Sequence, residues 1–418
     1  MNLFCSIEIA ILFGFFTFCS ALNDTLDAVV VVFRHGDRTP VRPYNNDPYK
    51  NKSYWPADWG MLTNTGKQQH FKLGQYFRQR YSNFLPQEYS GKDIFVRSTN
   101  VDRTLMSAES NLAGLYPPVS KDIWNNNILW QPIPIHTIPE NMDAVLAAKK
   151  PCKKYDYLYE RLLKSDFIRN INHMNHDLYA YLTRYSGDSI QDLTHLEYLY
   201  NTLSIEALYN YTLPDWAQKV YPKKMLFSVG LSFTLATYTP DLARFKIGPF
   251  FNELVNYFIN RTKTNQESEY YAPKFLMFSA HDTTIANLLN AMGAFEPHSP
   301  PYTSTIIFEL HKSAEQAYVN VFYKNTTEAR PITIRACTFN CNFDKFLEIL
   351  KPITVSLDMW ESECNSLWLL NNYWNVYLLL VILFVAVICI ITLSLLIKSR
   401  AKRSEVNLYT QLPNEEYA

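Results

Sequence analysis

The chain has 418 residues, 48% of them hydrophobic, and sets 39 lysines and arginines against 39 aspartates and glutamates. Zero formal charge leaves no global field to draw nucleic acid or an anionic membrane surface, so any affinity for anions has to be local. The length exceeds one ordinary core, and eleven glycines without a glycine-rich phosphate loop, a His-Glu-x-x-His or a calcium-loop spacing exclude the familiar nucleotide, zinc and calcium motifs.

From the N-terminus, Ile9 to Phe18 is a short apolar stretch before Cys19-Ser20-Ala21, a small-residue pattern that reads as a secretory signal over residues 1–21. Ala28 to Phe33 is an unbroken apolar run suited to a buried strand, and it stops abruptly at Arg34-His35-Gly36-Asp37-Arg38. Gly66 to Tyr81 has helical spacing, with Phe71, Gly74, Phe77 and Tyr81 on one face. A second short strand, Ile94 to Val96, leads into Arg97-Ser98-Thr99 and a helix whose first turn holds Asp102 and Arg103.

From Asp143 to Tyr238 the pattern changes. Tyr, Leu, His and Asn recur at helical spacing with no clear strand, which predicts a helical cap (residues 143–238) inserted into an α/β domain made of 22–142 and 239–366. Phe275 to Phe278 is a third strand, running into Ser279-Ala280-His281-Asp282 and a helix closed by Gly293; Thr305 to Leu310 and Tyr318 to Phe322 follow as strands. Strands alternating with helices predict an α/β fold with a mostly parallel sheet flanked by helices.

Val376 to Ile397 runs 22 residues without a charge, enough to cross about 30 Å of hydrocarbon. Lys398, Arg400, Lys402 and Arg403 follow at once, which assigns residues 398–418 to the cytosol, and Trp374 and Tyr377 mark the opposite interface. The expectation is a type I single-pass protein with a luminal or extracellular portion. Of seven cysteines, Cys5 and Cys19 fall in the signal and Cys389 in the span, leaving Cys152, Cys337, Cys341 and Cys364 on the oxidising side. Two disulfides are the simplest outcome: Cys337 and Cys341, four apart, close a small loop, which leaves Cys152 for Cys364. Glycosylation sequons stand at Asn23, Asn51, Asn210, Asn260 and Asn325.

Three charged turns thus follow three strands, and in an open α/β sheet ligands bind just beyond the strands' carboxyl ends. A single Arg-His pair after a strand is ordinarily a surface turn, and His-Asp before a helix is ordinarily a cap; three such turns in one chain are not accounted for that way. Arg34, Arg38 and Arg103 supply guanidinium groups that fork onto phosphate oxygens, and two helix N-termini add backbone N–H groups. This reads as a site for a tetrahedral dianion. His35 is the group able to attack phosphorus and form a phosphohistidine, Asp282 is the expected proton donor to the leaving oxygen, and His281 a further phosphate ligand. Positive surroundings stabilise the charge on the equatorial oxygens, so neither metal nor other cofactor is called for, and acid conditions are expected to favour activity. The remaining histidines, among them His70, His136, His173 and His176, are expected in packing or surface roles.

The same residues resemble a known family. "RHGDRTP" resembles the RHGxRxP signature of the histidine acid phosphatases, "STNVDRTLMSAESNLAGLYPP" their second arginine block, and "SAHDTTIANLL" their HD motif; "SYWPADWGMLTNTGKQQH", "ILWQPIPIHTIPE" and "YNYTLPDW" agree as well. The match covers nearly all of Val29 to Cys364 and is strongest for the lysosomal and prostatic branch. It implies His35 as the phosphorylated nucleophile, Arg34, Arg38, Arg103 and His281 as phosphate ligands, Asp282 as proton donor, disulfides Cys152–Cys364 and Cys337–Cys341, a broad range of phosphomonoester substrates without metal, and a homodimer. Ile205 and Thr305 stand where a third disulfide of that branch is expected, so both of its partners are missing together, and Asn100 replaces an aspartate common there. In the lysosomal branch a tail tyrosine directs delivery to lysosomes, and Tyr409 to Leu412 ("YTQL") has the form that a sorting adaptor would read; lysosome, endosome and cell surface all remain open. Two alternatives stand beside the acid phosphatase reading: a specialised inositol-phosphate or lysophospholipid phosphatase, and, in another class, an inactive ligand-binding ectodomain, against which the presence of both His35 and Asp282 argues.

Overall fold

The computed structural model describes residues 26–263, 272–313 and 316–409. The expected signal over 1–21, the sequon at Asn23 and residues 410–412 of the tail motif lie outside the described residues. The chain divides into two compact units, one ending at Glu361 and the other beginning at Ser362.

The first unit is built on β1 (Leu26–Arg34), which is buried from Asp27 onward. A strand at the middle of a covered sheet presents alternate side chains to opposite faces, so both sets have to be apolar. Val29, Val31 and Phe33 pack on one side with α1 (Asn64–Arg80) and α2 (Asp102–Leu115) through Leu73, Phe77 and Leu112. β2 (Ile94–Ser98) lies between these two helices in the chain. The intervening region holds six helices: α3 (Lys153–Leu163), α4 (Asp166–Met174), α5 (His176–Ser186), α6 (Leu193–Leu208), α7 (Asp215–Gln218) and α8 (Leu226–Leu235). Ala28, Val30 and Val32 face the other layer, formed by α9 (Pro240–Lys263), α10 (Asp282–Ala291) and α11 (Phe343–Leu350) through Phe250, Leu288 and Phe346.

With β3 (Phe275–Ala280), β4 (Thr305–Lys312), β5 (Ala317–Lys324), β6 (Arg330–Pro331) and β7 (Cys341–Asn342), the strand order is β2-β3-β1-β4-β5-β6, and β7 also pairs with β5. The sheet is mixed. The expected parallel pairing holds for β2, β3 and β1, each followed by a helix that returns the chain. Beyond β1 every pair is antiparallel: β4 runs against β1, and β5 follows β4 with no helix between them to carry a crossover.

α1 and α2 approach at the level of their backbones. A Cβ on Gly74 would lie 1.9 Å from the carbonyl oxygen of Asn111, and one on Gly114 would lie 2.1 Å from that of Phe71. Phe71 is therefore a backbone contact, and its side chain stands at the edge, 36% exposed, while His70 is fully buried in the position expected of an apolar residue. Helices α5 to α8 share a core of Leu182, Leu196, Leu203, Met225 and Val229, which takes in Tyr44 from the loop after β1 and Ala286 of α10. That contact sets the helical region beside the carboxyl ends of β1 and β3.

Cys337 and Cys341 form a disulfide; Cys152 and Cys364 are disulfide-bonded as well, and Cys389 is the free cysteine among the described residues. The four described sequon asparagines, Asn51, Asn210, Asn260 and Asn325, are all exposed. The second unit is the continuation of α12 (Leu357–Tyr409), in which the 30 residues Trp374–Arg403 are long and apolar enough to cross a membrane.

Candidate active site

Parallel pairing brings the strand ends together. Arg34 is in register with Ala280 and Ser98 with Ser279, so the three charged turns leave the sheet side by side. Two glycines let the first turn press against the start of α1: a Cβ on Gly36 would lie 2.4 Å from the oxygen of Gly66, and one on Gly66 would lie 2.3 Å from that of Asp37. The result is a cavity of about 390 Å³ lined by His35, Arg38, Arg103, His281 and Asp282. Arg34 joins it through an ion pair with Asp282 at 2.8 Å. All six residues picked from the sequence thus meet in one place.

The tautomer of His35 follows from its partner. Nδ1 lies 2.8 Å from the carbonyl oxygen of Gly36, and a carbonyl only accepts, so Nδ1 carries the proton and Nε2 keeps its lone pair. Burial, then Arg34, Arg103, Arg38 and His281, hold the imidazole well below its ordinary pKa. A buried, neutral imidazole among three guanidinium groups stays a nucleophile into the acid range.

The cations are crowded. Burial and then Arg38 bring Arg103 down to about 10, against the opposing pull of Asp282. Among the described residues the Nε atoms of Arg34, Arg38 and Arg103 have no acceptor, and buried donors without partners are costly. An anion relieves both strains. Arg34 is held by the carbonyl of Pro300 and by the ring of Tyr302, 4.3 Å from its guanidinium carbon. Arg38 donates to the Thr39 carbonyl and, at 3.0 Å, to Oδ1 of Asn201 on α6.

His281 has a different geometry from the one expected of a phosphate ligand. Its Nδ1 lies 3.4 Å from Nη2 of Arg103 and its Nε2 lies 3.0 Å from Oγ1 of Thr99. A guanidinium only donates, so Nδ1 accepts, and Nε2–H points to Thr99. In this arrangement His281 steadies Arg103. Burial, then Arg103, keeps it neutral. Asp282 opens α10 and accepts from the Thr283 N–H at 2.8 Å. Burial alone would raise its pKa, but Arg34, Arg38 and His281 outweigh that and hold the carboxyl below its ordinary value.

Several supporting residues were given no site role by the sequence. Nε2 of His70 lies 3.1 Å from the carbonyl oxygen of Arg34, fixing the end of β1. Oδ2 of Asp37 accepts from the hydroxyls of Thr63 and Tyr209, tying the first turn to α1 and to the end of α6. Glu197 and Asn201 reach the cavity from α6. A helical pattern shows where α6 is, but not which polar residue it turns toward a site formed by segments distant in the chain.

The sequence model of the histidine phosphatase superfamily (branch 2) matches residues 25–324. The chain belongs to that superfamily. This histidine phosphatase is 37% identical to prostatic acid phosphatase of Bos taurus over 345 residues, which span 80% of this chain and 87% of the relative. It is 36% identical to lysosomal acid phosphatase of Xenopus laevis over 353 residues, 83% of this chain and 80% of the relative. Among solved structures it is similar to the phytase of Hafnia alvei, with a TM-score of 0.61 and 17% identity over 79% of this chain and 97% of the other. At that identity the likeness is one of fold.

Proposed function

We propose that His35 carries a phosphohistidine in the hydrolysis of phosphate monoesters, with Asp282 as proton donor. The activity itself is that of an acid phosphatase, as family membership and relatives at 34–38% identity over most of the chain indicate. The observation that carries the mechanism is the Nδ1–H to Gly36 bond, which leaves Nε2 free among Arg34, Arg38 and Arg103.

In the first step Nε2 attacks phosphorus in line, a P–N bond forms, the ester P–O bond breaks, and Asp282 gives its proton to the departing oxygen. In the second, water attacks the phosphoryl group, Asp282 takes a proton from it, and the P–N bond breaks to release inorganic phosphate. The guanidinium groups stabilise the charge spread over the equatorial oxygens in both steps, so the reading is metal-independent. Asp282 is ionised while Arg34 pairs with it. A bound dianion draws Arg34 onto its own oxygens and sets negative charge beside the carboxyl, and both changes move Asp282 toward its protonated form. Acid conditions complete that protonation while His35 stays neutral.

The helix Trp374–Arg403 is long and apolar enough to anchor the protein in a membrane through a C-terminal span. A luminal or extracellular active domain, residence in lysosome, endosome or cell surface, a homodimer, and adaptor recognition of Tyr409 to Leu412 belong to the same proposal and rest on the sequence and the family resemblance. The test is phosphate release from 4-nitrophenyl phosphate by the full-length chain in detergent, at about pH 5 and pH 7.5 with chelator, beside His35→Ala. Chelator-resistant, acid-favoured turnover lost in His35→Ala is the expected result. Turnover that survives His35→Ala would place the nucleophile elsewhere.

A further inference from the structure

The cavity above His35 does not end at the phosphate site. A second cavity of about 250 Å³ adjoins it, with Leu146, Phe233 and Ile247 on its apolar wall, and Glu197 of α6 lines both. Among the described residues no hydrogen bond or ion pair reaches the Glu197 carboxyl. The charged groups around it are already engaged. Arg34 pairs with Asp282, Arg38 donates to Asn201, Lys149 pairs with Glu140 at 2.6 Å, Arg42 faces Asp188 at 4.0 Å, and Arg103 faces His281. Lys246, which lines the second cavity together with Lys149, donates to the Ala148 carbonyl at 3.0 Å. Burial, then the charge of Asp282, pushes Glu197 up to about 7, against the opposing pull of Arg38 and Arg34.

Position settles which part of a substrate this carboxyl meets. The phosphoryl group belongs between His35 and the three guanidinium groups, and the ester oxygen faces Asp282. Glu197 lines the phosphate cavity and also opens onto the neighbouring one, so it stands where the rest of a substrate leaves the phosphate site. A carboxyl without a partner there is an acceptor waiting for a donor, and once ionised it repels anions.

We propose that Glu197 determines leaving-group specificity, favouring phosphate monoesters whose alcohol portion carries an ammonium group and discriminating against those that carry a second anion. The proposal rests on the phosphatase reading of the same site.

Two small esters of similar size and opposite charge test it: O-phosphoethanolamine and 2-phosphoglycolate. The quantity read is the ratio of their kcat/KM values with the full-length protein between pH 5.5 and 8. Both substituents keep their charges across that range, but the ammonium lowers and the carboxylate raises the second ionisation of its own phosphate, so kcat/KM is referred to the dianion of each ester before the ratio is taken, and a remaining change reports a charge on the protein. The ratio should rise about a hundredfold in favour of phosphoethanolamine, about tenfold from each of the two opposite substituents, the size of one unit charge acting at about 6 Å through an effective dielectric of about 40, with its midpoint near pH 7, and Glu197→Gln should flatten it. A flat ratio in the wild-type protein, or an equal rise in Glu197→Gln, overturns the proposal. The wild-type series decides the sign without any variant. Hydrolysis of 4-nitrophenyl phosphate, run in parallel, separates this failure from failure of the phosphatase reading. Without turnover, calorimetric binding of the same two esters to the full-length protein reads the same preference.

Discussion

Glu206 and Asp47 form a carboxyl pair buried between α6 and the loop after β1, Glu206 wholly and Asp47 at 2% exposed. The Tyr49 N–H binds one oxygen of Asp47 at 2.6 Å, but among the described residues its other oxygen, both oxygens of Glu206 and the nearby Tyr44 hydroxyl have no donor or acceptor in hydrogen-bonding geometry. Two carboxylates offer each other no donor, so a retained proton has to join them. Burial first, then each one's charge on the other, raises Glu206, and burial raises Asp47 against the Tyr49 N–H and Lys50. An acid raised on folding stabilises the fold fully below its unfolded pKa, about 4.5, and loses that stabilisation as pH rises through the raised value. Holding one proton that the unfolded chain has released costs about 1.4 kcal/mol per pH unit, or about 2.7 kcal/mol between pH 5.5 and 7.5. For a unit of roughly 340 residues, with an unfolding entropy of about 2 cal/mol/K per residue, this is about 4 °C in Tm. Glu206→Gln keeps the shape, gives Asp47 a permanent donor and has no proton to lose. Its Tm should therefore fall about 4 °C less than that of the wild type over the same interval, by differential scanning fluorimetry of the full-length protein. Parallel curves for the two proteins would refute the shared proton.

Asp282→Asn should lower kcat on glycerol phosphate by about 10²–10⁴-fold and on 4-nitrophenyl phosphate much less, since nitrophenolate departs without a proton; equal losses in steady-state assays would place the proton donor elsewhere. Gly74→Ala should destabilise by about 3 kcal/mol in urea unfolding, because its Cβ meets the Asn111 carbonyl at 1.9 Å and two helix backbones have to separate; the same shift would move Arg103, on the first turn of α2, and lower kcat/KM. Tyr209→Phe removes a 2.8 Å donor to Asp37 and should cost about 1 kcal/mol by the same measurement, whereas unchanged stability would show that this bond is not made in solution.

Much of the site was legible because it is local. An apolar run with polar residues on neither face declares a central strand, and the charge that ends it, repeated after two further strands, declares a shared rim. The apolar span and the closely spaced Cys337–Cys341 pair are local in the same way. The family motifs drew on those same segments.

What the sequence by itself determined, then, was which side chains could do the chemistry and which end of which strand presents them. The tertiary structure decided their states and their neighbours. Phe71 and His70 are adjacent in the chain, and which one is buried depends on where the backbone of α2 crosses α1. The mixed sheet depends on the direction in which β4 returns along β1. The Arg34–Asp282 pair, the Arg103–His281 contact and the unpartnered Glu197 each join segments far apart in sequence. Burial and neighbouring charge shift His35, Arg103, His281 and Asp282, and both are properties of the packed chain, since desolvation and Coulomb interaction depend on distances that residue order does not encode.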